Sequence, residues 1–404
     1  MSRSKEVHNR ALNYDVQFDY LPDADRYLLA RSKPEFKLNV IGTGINGQEH
    51  IRVTHLEGRA TVHGIFDPNP RSVEGAKRTH AQFQPDTPLV IYDSLEAACC
   101  DPDVDALVIS TPNYTHLDVL RVAVESGKHL LIEKPLATNV QDAAAITHMA
   151  DTYPAIFQVG LQYRYKAMYA EAIYEALHRQ TVGGIQMIHI QEARIPFLDK
   201  VNQWNKFAKF SGNTLVEKCC HYFDLMNLFA QARPRNVYAS GGTAINFKEF
   251  EYNGEKSDVL DNAMVIVNYE NGIRANFNLC MFAPMFYEEL VIAGTEGRLQ
   301  AWERQDFNAN SAWESEMAIT CAEGKPSRHT RLHYPAWIEQ SGHNGATYYE
   351  HVNFINRMKG ESSNAASALE GLWSVVVASA AQESIRTGQV ITINDFLAAS
   401  GVQL

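Results

Sequence analysis

The sequence predicts an α/β protein with two domains, a doubly wound parallel sheet followed by an α/β domain whose sheet is mainly antiparallel. Between residues 36 and 160, short apolar runs alternate with segments of helical spacing, which is typical of βαβ units. Beyond residue 160, pairs of strand-like segments separated by turn residues replace this alternation. We therefore place one domain at 36–160 and a second at 161–404, behind an N-terminal arm at 1–35.

Six apolar runs in the first domain are predicted to be parallel strands. They occupy residues 36–41, 60–66, 89–92, 106–110, 129–133 and 156–160. The segments at 116–126 and 139–151 have the spacing of amphipathic helices. Because crossovers between parallel strands are right-handed, helices on both faces of such a sheet give a doubly wound domain.

The second domain is expected to combine helices with antiparallel strands. Its clearest feature is a hairpin at 262–281, where apolar residues alternate on both sides of Asn271-Gly272, a dipeptide that suits a type I′ turn. A second strand pair, at 289–293 and 298–302, flanks a turn around Gly297. The other predicted elements are a strand at 185–195 and helices at 166–178, 217–229, 347–357 and 365–387, the last of them closed by Gly388.

Composition excludes several classes of protein. The chain has 404 residues, of which 47 are acidic and 36 basic, and its net charge is −11. A nucleic-acid partner is not expected, because such binding needs a basic excess. A membrane partner is not expected either, because no apolar run approaches the ~18 residues of a spanning helix. The polar N-terminus has no apolar core of a secretory signal.

Four of the six cysteines form adjacent pairs, Cys99-Cys100 and Cys219-Cys220. Adjacent pairs suit neither a disulfide framework nor a Cys-x-x-Cys metal site, so we expect free thiols and a cytoplasmic protein. Residues 1–35 are polar with scattered aromatic residues. They are expected to form an arm that docks on its own subunit or a neighbour, or else a partly mobile tail.

A glycine-rich loop follows the first predicted strand. Gly42, Gly44 and Gly47 fit the pattern G-x-G-x-x-G, which allows a tight turn, close approach of a pyrophosphate and close packing of helix on strand. With Ile45 and Asn46 they open a helix whose free N–H groups attract phosphates. We expect these five residues to bind a dinucleotide, and the alternative is an ordinary glycine turn.

Asp67 ends the second predicted strand, 20 residues after Gly47. A carboxylate at this position accepts hydrogen bonds from both ribose hydroxyls and repels a 2′-phosphate. The cofactor is therefore expected to be NAD rather than NADP, although Arg71 lies nearby and weakens that preference.

The segment 110–116, Ser-Thr-Pro-Asn-Tyr-Thr-His, follows the fourth predicted strand. Ligands of doubly wound sheets lie beyond the carboxyl ends of the strands, so Thr111 and Asn113 are expected to hydrogen-bond the cofactor. His116 either does the same or caps the next helix. Glu133 ends the fifth strand at the same edge and is expected to border the cofactor.

Lys134 follows Glu133 at this edge and is also expected to border the cofactor. Pro135 disfavours helical dihedral angles at the lysine and fixes its direction. An ammonium there can stabilise alkoxide character on a hydroxyl during oxidation, or relay a proton. The alternative is a solvated lysine at a strand end.

The helix predicted at 217–229 places Glu217 and His221 four residues apart on one face. His221 can act as a base near neutral pH, and Glu217 can orient it or bind substrate hydroxyls. A structural pair is the alternative. A metal site is not expected, because adjacent residues on a helix point roughly 100° apart, so Cys219, Cys220 and His221 cannot converge on one ion.

Together these motifs resemble the family of glucose–fructose oxidoreductases, inositol dehydrogenases and rhizopine-catabolism proteins, known as Gfo/Idh/MocA. The resemblance covers nearly the whole chain after residue 36 and is carried by the glycine loop, segment 110–116, Glu133-Lys134-Pro135 and segment 215–224. It implies a Rossmann domain and a C-terminal α/β domain with a large open sheet. The outer face of that sheet then forms the interface of a homodimer or homotetramer.

The resemblance also implies a nicotinamide cofactor, a sugar or cyclitol substrate, and active-site roles for Lys134 and His221. Glu217 stands where many members carry aspartate, so its carboxylate is displaced by about one C–C bond.

Four further residues are implied to bind substrate. Gln162 and Arg164 resemble an arginine-containing segment after the sixth strand, and Arg164 is expected to meet the substrate or the nicotinamide carboxamide. Trp204 and Asn205 fall where members place substrate-facing residues, although a core tryptophan is the alternative.

The expected activity is NAD-dependent oxidation of a secondary hydroxyl in a sugar, glycoside or cyclitol. His221 takes the hydroxyl proton, with Lys134 as a relay. Three alternatives stay open: a glycoside-processing enzyme with transient 3-oxidation, a sugar–sugar oxidoreductase with tightly bound, recycled NAD(P), and an NAD-sensing protein without activity.

Overall fold

The computed structural model describes residues 34–307, 313–322, 324 and 326–403. Residues 1–33, nearly all of the predicted arm, lie outside these ranges. The described chain forms a six-stranded parallel sheet with helices on it and a nine-stranded sheet that is mainly antiparallel. The predicted α/β fold class is confirmed.

The first sheet is built from the six predicted strands. They are β1 (Phe36–Ile41), β2 (Ala60–Phe66), β3 (Val90–Ile91), β4 (Ala106–Ile109), β5 (His129–Glu133) and β6 (Phe157–Gly160). All neighbours pair in parallel, in the order β3-β2-β1-β4-β5-β6. This is the Rossmann order, in which the loops after β1 and β4 flank the ligand crevice.

Five helices accompany this sheet: α1 (Ile45–Glu57), α2 (Pro70–Ala81), α3 (Leu95–Cys100), α4 (His116–Ala123) and α5 (Val140–Asp151). Asn69, Ser94 and Asn139 start α2, α3 and α5, and each side chain accepts a hydrogen bond from a backbone N–H of the first turn. By contrast, α1 starts after Gly44, which has no side chain to cap it. The N–H groups at the start of α1 are therefore left for a ligand.

The second sheet is formed by later strands. They are β7 (Ile185–Ala193), β8 (Pro234–Gly242), β11 (Asn262–Tyr269), β12 (Arg274–Cys280), β13 (Met285–Gly294), β14 (Gly297–Asp306), β15 (Glu314–Cys321), β16 (Arg328–Arg331) and β17 (Ile391–Thr392), while β9 (Glu251–Tyr252) pairs separately with β10 (Glu255–Lys256). The order is β16-β15-β14-β13-β7-β12-β11-β8-β17. Strands β7 and β12 run parallel, and the other described neighbours are antiparallel.

The helices of the second part are α6 (Ala167–Ile173), α7 (Ala208–Ser211), α8 (Asn213–Glu217), α9 (Cys220–Ala230), α10 (Ala336–Glu339), α11 (Ala346–Met358), α12 (Ala368–Thr387) and α13 (Ile393–Ala399). A π-helical turn extends α6 to residue 178. Gly388 ends α12 in the left-handed conformation, as predicted.

The single helix predicted at 217–229 is divided in the structure. A turn that begins at Lys218 separates α8 from α9. The break accompanies an inward contact, because the Lys218 ammonium lies 3.2 Å from a carboxylate oxygen of Glu192 in the interior. Glu217 and His221 therefore do not share one continuous helix face, and that prediction is wrong.

The hairpin predicted at 262–281 is confirmed, but its turn is not type I′. Gly272 has a left-handed φ of +87°, whereas Asn271 does not adopt a positive φ. The Gly272 N–H donates to the carbonyl of Tyr269, which fits a three-residue loop with a left-handed glycine at its end. The Asn271 side chain instead donates to the carbonyl of Ala230 at 2.9 Å, a contact with α9 that sequence spacing does not reveal.

The end of the chain covers the first domain. Helix α11 packs on α1, and its Phe354 and Ile355 are fully buried in one cluster with Leu38 and Ile51. A backbone bridge also joins Ala366 to β6. The six-stranded sheet is therefore completed by residues that come late in the chain.

One face of the nine-stranded sheet is covered by helices, and the other carries exposed side chains. Buried and exposed residues alternate along β8 and β11. Tyr238, Met264, Ile266 and Met187 project on the outer face, and all four are exposed.

None of the helices in the described part of the chain is long and apolar enough to span a membrane.

Candidate active site

The glycine-rich loop at the end of β1 is tightly packed at its first and third glycines and open at its second. Gly42 has a φ of +84°, and a Cβ there would lie 2.7 Å from the carbonyl oxygen of Ser110. A Cβ on Gly47 would lie 2.1 Å from the carbonyl oxygen of Gly42, so glycine lets α1 pack this closely. A Cβ on Gly44 would meet no atom within 4 Å. The loop thus leaves open space beside the uncapped start of α1, where Ile45 and Asn46 lie.

The Asp67 carboxylate holds this loop in place. Its Oδ2 accepts hydrogen bonds from the Thr43 N–H at 2.7 Å and from the Thr43 hydroxyl at 3.2 Å. Its Oδ1 accepts from the Asn69 N–H at 2.8 Å. Asp67 therefore stands beside the predicted pyrophosphate loop, in the position expected for a ribose-binding carboxylate.

The loop after β4 contributes polar groups at the same edge. The Thr111 and Thr115 hydroxyls are 2.9 Å apart. Asn113 is buried, and its Nδ2 has no hydrogen-bond partner within the described chain, which is the state expected of a donor reserved for a ligand. The buried ring of His116 contacts the carbonyl oxygens of Thr111 at 3.1 Å and Pro135 at 2.9 Å, so it joins the loops that follow β4 and β5.

Glu133 is buried at the end of β5 and is held by two histidines in series. Its Oε1 lies 2.9 Å from Nε2 of His50 on α1, and His50 Nδ1 lies 2.8 Å from Nε2 of His351 on α11. Its Oε2 accepts from the Lys134 N–H at 3.0 Å. Burial opposes ionisation, but the contacts with His50 and Lys134 prevail and lower the pKa of Glu133 to about 2. An ionised carboxylate thus joins α1, β5 and α11.

The Lys134 side chain reaches from the first domain to the second. Its Nζ donates to the backbone carbonyl of Glu217 at 2.9 Å and lies 4.0 Å from Glu217 Oε1. Burial favours the neutral amine, but the charges of Glu217 and Glu133 raise the pKa of Lys134. Burial likewise opposes ionisation of Glu217, but Lys134 and Lys200 lower its pKa. The surroundings of Lys134 therefore favour its charged form.

His221 lies on α9 with its ring stacked on Tyr163. The ring centroids are 4.0 Å apart and the planes are 9° from parallel. Its Nδ1 is buried and has no partner among the described residues. Burial lowers the pKa of His221 well below its usual value, and the nearby cations Lys134 and Lys218 lower it further. The imidazole is therefore neutral near neutral pH, with one ring nitrogen that has no partner among the described residues.

Three residues predicted to bind substrate lie near this position or near the cofactor loop. Gln162 and Asn205 are buried, and each keeps one side-chain oxygen without a partner in the described structure. Trp204 is buried against Tyr114 of the 110–116 loop, with ring centroids 6.5 Å apart. Both unpartnered oxygens are acceptors that suit hydroxyl donors.

Arg164 has a different environment from the one predicted. Its guanidinium donates to both carboxylate oxygens of Asp224, at 2.6 and 2.7 Å, and to Glu370 at 2.7 Å. It also donates to the carbonyl of Asn364. These bonds join the segment after β6 to α9 and α12, and they leave the predicted substrate contact of Arg164 without structural support.

Tyr163, Lys200 and Lys218 belong to the site but were missed from the sequence. Tyr163 follows Gln162 and Lys218 follows Glu217, both of which were predicted site residues, yet no periodicity indicates that Tyr163 and Lys218 point inward. The Lys200 ammonium lies 5.3 Å from the centroid of the Trp204 ring. Burial lowers the pKa of Lys200, and Glu217 opposes that effect.

The described residues include no group of three or more His, Cys, Asp or Glu side chains arranged to hold a metal ion. Cys219 and Cys220, which flank the site, are free and fully buried. Burial raises the pKa of Cys220 to about 12. These two thiols are therefore neutral packing groups near neutral pH.

Family comparisons match both parts of the chain. The description "Oxidoreductase family, NAD-binding Rossmann fold" covers residues 36–161, and "Oxidoreductase family, C-terminal alpha/beta domain" covers residues 175–393. Both descriptions are those of Gfo/Idh/MocA. The chain belongs to this family. The predicted resemblance is confirmed, and the protein is an NAD-binding oxidoreductase of the Gfo/Idh/MocA type.

Individual relatives are similar over most of the chain. A scyllo-inositol 2-dehydrogenase (NAD(+)) of Bacillus subtilis is 26% identical over 265 residues, which cover 64% of this chain and 72% of that protein. A myo-inositol 2-dehydrogenase of Thermotoga maritima is 22% identical and covers 89% of this chain and 99% of its own. The solved structure of a levoglucosan dehydrogenase with NADH and levoglucosan superposes with a TM-score of 0.72 at 20% identity, covering 89% of this chain and 99% of the other. This last likeness shows a shared fold.

We expect Glu133→Gln to make the fold less sensitive to acid. The pKa of Glu133 is lowered from 4.5 to about 2, so its ionised form stabilises the fold above about pH 4.5, and that contribution is lost as the pH falls towards 2. The free energy of unfolding in urea should therefore drop less in the variant than in the wild type between pH 7 and about pH 3.5. Exposed Glu125→Gln is the control and should follow the wild type. Equal drops in all three proteins would contradict the assignment.

Proposed function

We propose that this protein moves a hydride between a secondary hydroxyl of a sugar, glycoside or cyclitol and a bound nicotinamide. The contact of Lys134 with Glu217 carries the proposal. It brings a charged ammonium from the edge of the first sheet to the turn that precedes His221. A cation and a neutral imidazole, one from each domain, thus converge where the nucleotide-binding loops end.

The two side chains have complementary roles in the proposed reaction. Oxidation of a secondary alcohol removes the hydroxyl proton and a hydride from the carbon that bears it. The neutral His221 ring accepts the proton, and the Lys134 ammonium stabilises the negative charge that develops on the oxygen. Glu217 keeps Lys134 charged and offers an acceptor to a neighbouring hydroxyl.

The residues at the edge of the first sheet fit NAD. The open space at Gly44, the Asp67 carboxylate and the unpartnered Nδ2 of Asn113 support binding of the pyrophosphate, a ribose and a polar group of the cofactor. When bound, NAD supplies the hydride acceptor. The Asp67 carboxylate would repel a 2′-phosphate, so we propose NAD rather than NADP.

Two kinds of observation support a polyhydroxylated ring as substrate. Relatives are named inositol dehydrogenases, and a similar solved structure contains levoglucosan. The unpartnered oxygens of Gln162 and Asn205 are acceptors of the kind that ring hydroxyls need.

We also propose that two or four copies associate through the outer face of the nine-stranded sheet. Tyr238 and Ile266 lie opposite each other on adjacent strands, with Met264 on the same face, and all three are exposed. A second copy covering this face would remove their apolar surface from water. The free cysteines are consistent with the proposed cytoplasmic location.

Lys134→Ala should lower kcat by about two or more orders of magnitude and leave NAD binding intact, because it removes charge that matters most in the transition state. The measurement is NADH absorbance with NAD or NADP across a panel of sugars, glycosides and inositols, together with NAD affinity by calorimetry. Lys209→Ala, which changes an exposed lysine, is the control. Wild-type turnover by Lys134→Ala would exclude the proposed role.

The same panel separates the alternative activities. Steady NADH formation supports the dehydrogenase. If no substrate gives NADH, the protein is denatured and assayed for released nucleotide, because a sugar–sugar oxidoreductase would retain its NAD(P). Analysis of the products formed from glycosides tests for transient 3-oxidation.

Asp67→Asn should narrow the preference for NAD over NADP. The wild type is expected to favour NAD by at least tenfold in kcat/KM, or about 1.4 kcal/mol, and loss of the carboxylate charge should reduce that ratio. Asparagine keeps an acceptor for the Thr43 N–H. Exposed Asp118→Asn is the control. An unchanged ratio would show that Asp67 does not select the nucleotide.

Ile266→Asp should dissociate the assembly, because a carboxylate in an apolar interface loses hydration without gaining a partner. Light scattering after size-exclusion chromatography measures the mass directly. Ile245→Asp provides a matched control, since Ile245 is exposed but lies outside the strands of the sheet. A monomeric wild type, or an Ile266→Asp variant that keeps its mass, would rule out this interface.

A further inference from the structure

A buried lysine supports the stack of Tyr163 and His221. The Lys218 Nζ donates to the Tyr163 hydroxyl at 2.5 Å and lies 4.5 Å from the centroid of the Tyr163 ring. The same ammonium lies 3.2 Å from a carboxylate oxygen of Glu192 on β7. Lys218 is 6% exposed and Glu192 is 1% exposed. The lysine is therefore fixed in the interior behind the ring that contacts His221.

Four titratable groups lower the pKa of His221, and each belongs to a different element. They are Lys134 after β5, Lys218 in the turn before α9, Lys166 before α6, and His343 before α11. Lys134 faces Glu217 at 4.0 Å. The Lys166 ammonium forms ion pairs with Glu288 of β13 at 2.6 Å and with Glu303 of β14 at 2.7 Å. The Glu192 carboxylate that pairs with Lys218 also lies 3.5 Å from the guanidinium of Arg194.

We propose that Lys218, anchored by Glu192 and by the Tyr163 hydroxyl, is a positioning residue that holds Tyr163 against His221 and keeps the imidazole unprotonated before substrate binds. This inference rests on the proposed role of His221 as proton acceptor. Lys218 acts through Tyr163 and through its charge.

The physical argument has two parts. A positive charge near an imidazole in a poorly hydrated interior disfavours a second positive charge on the ring. Burial lowers the pKa of Lys218, and the carboxylate of Glu192 opposes that lowering, so the ion pair favours the charged form of the lysine. Once His221 has taken the hydroxyl proton, the same repulsion from Lys218 and Lys134 favours release of that proton. The same repulsion makes the ring a weaker base, so the device favours the return of His221 to its neutral state rather than the acceptance step.

The test compares neutral and charged replacements of Lys218. Lys218→Gln removes the charge and keeps polar contacts for Glu192 and Tyr163, whereas Lys218→Met removes both. The His221 ring is titrated by NMR in histidine-labelled protein, and its signal is identified by its loss in His221→Gln. We expect both neutral variants to raise the titration midpoint by about one pH unit, which is a tenfold change in the ratio of protonated to neutral ring.

Lys218→Arg should keep the wild-type midpoint, because arginine stays charged. The low-pH limb of kcat/KM should move with the midpoint in each variant. Lys206→Met is the matched control: Lys206 is also buried, but its carboxylate partner is Asp199, outside the site. This control should leave the midpoint unchanged.

An unchanged midpoint in Lys218→Gln would overturn the inference. So would an equal shift in Lys206→Met, since that result would mean a general loss of packing. The NMR titration needs no substrate. If Lys134→Ala keeps wild-type turnover while the midpoint still moves as expected, the proposed role of Lys134 fails and the electrostatic inference stands.

Discussion

The hydrogen bond from the Lys134 ammonium to the Glu217 carbonyl is the interaction on which the arrangement of the site depends. A buried cation loses several kcal/mol of hydration, so the fold must supply acceptors and opposite charge around it. Glu133 and Glu217 supply that charge from different domains. Because the acceptor is the last residue of α8, the same bond fixes the turn from which α9 begins, and α9 carries His221.

The region behind His221 extends this principle into the interior of the second domain. Lys166 is enclosed by Glu288 and Glu303, and the Tyr222 hydroxyl donates to Glu288 at 2.8 Å. Burial and the neighbouring Glu288 raise the pKa of Glu303 to about 7, even though Lys166 opposes the effect. Such groups are costly to bury and directional in their bonding, so they fix the relative positions of α6, α9 and the sheet more narrowly than apolar packing alone.

Local sequence patterns predicted the first domain well because they are produced by local geometry. Each parallel strand is a short apolar run, and the glycine spacing reflects contacts within a few residues, such as that between Gly42 and Gly47. The antiparallel hairpin was predicted for the same reason. The details of its turn were not, because Asn271 is held by a carbonyl of α9 that lies far away in the sequence.

The candidate site was predicted only where a motif marks the residue itself. Lys134 and His221 stand in recognisable segments, but the break between α8 and α9 coincides with a contact of Lys218 with Glu192, which no periodicity indicates. The surroundings of Arg164 were not predicted either. Its neighbours in the sequence indicated a ligand contact, while Asp224 and Glu370, supplied by distant helices, occupy its donors. Long-range pairing of charges thus limits what spacing alone can predict.

The order of strands in the second sheet has a consequence for synthesis on the ribosome. Strand β7 lies between β12 and β13, which follow it in the chain only after α9, β8 and β11. The apolar side chains of Ile188 and Ile190 therefore emerge long before the strands that flank them. The core of the first domain is also completed late, because α11 supplies Phe354 and Ile355 to it. Both cores are therefore completed by segments made long after their first strands, which leaves apolar surface exposed in the growing chain until those segments follow.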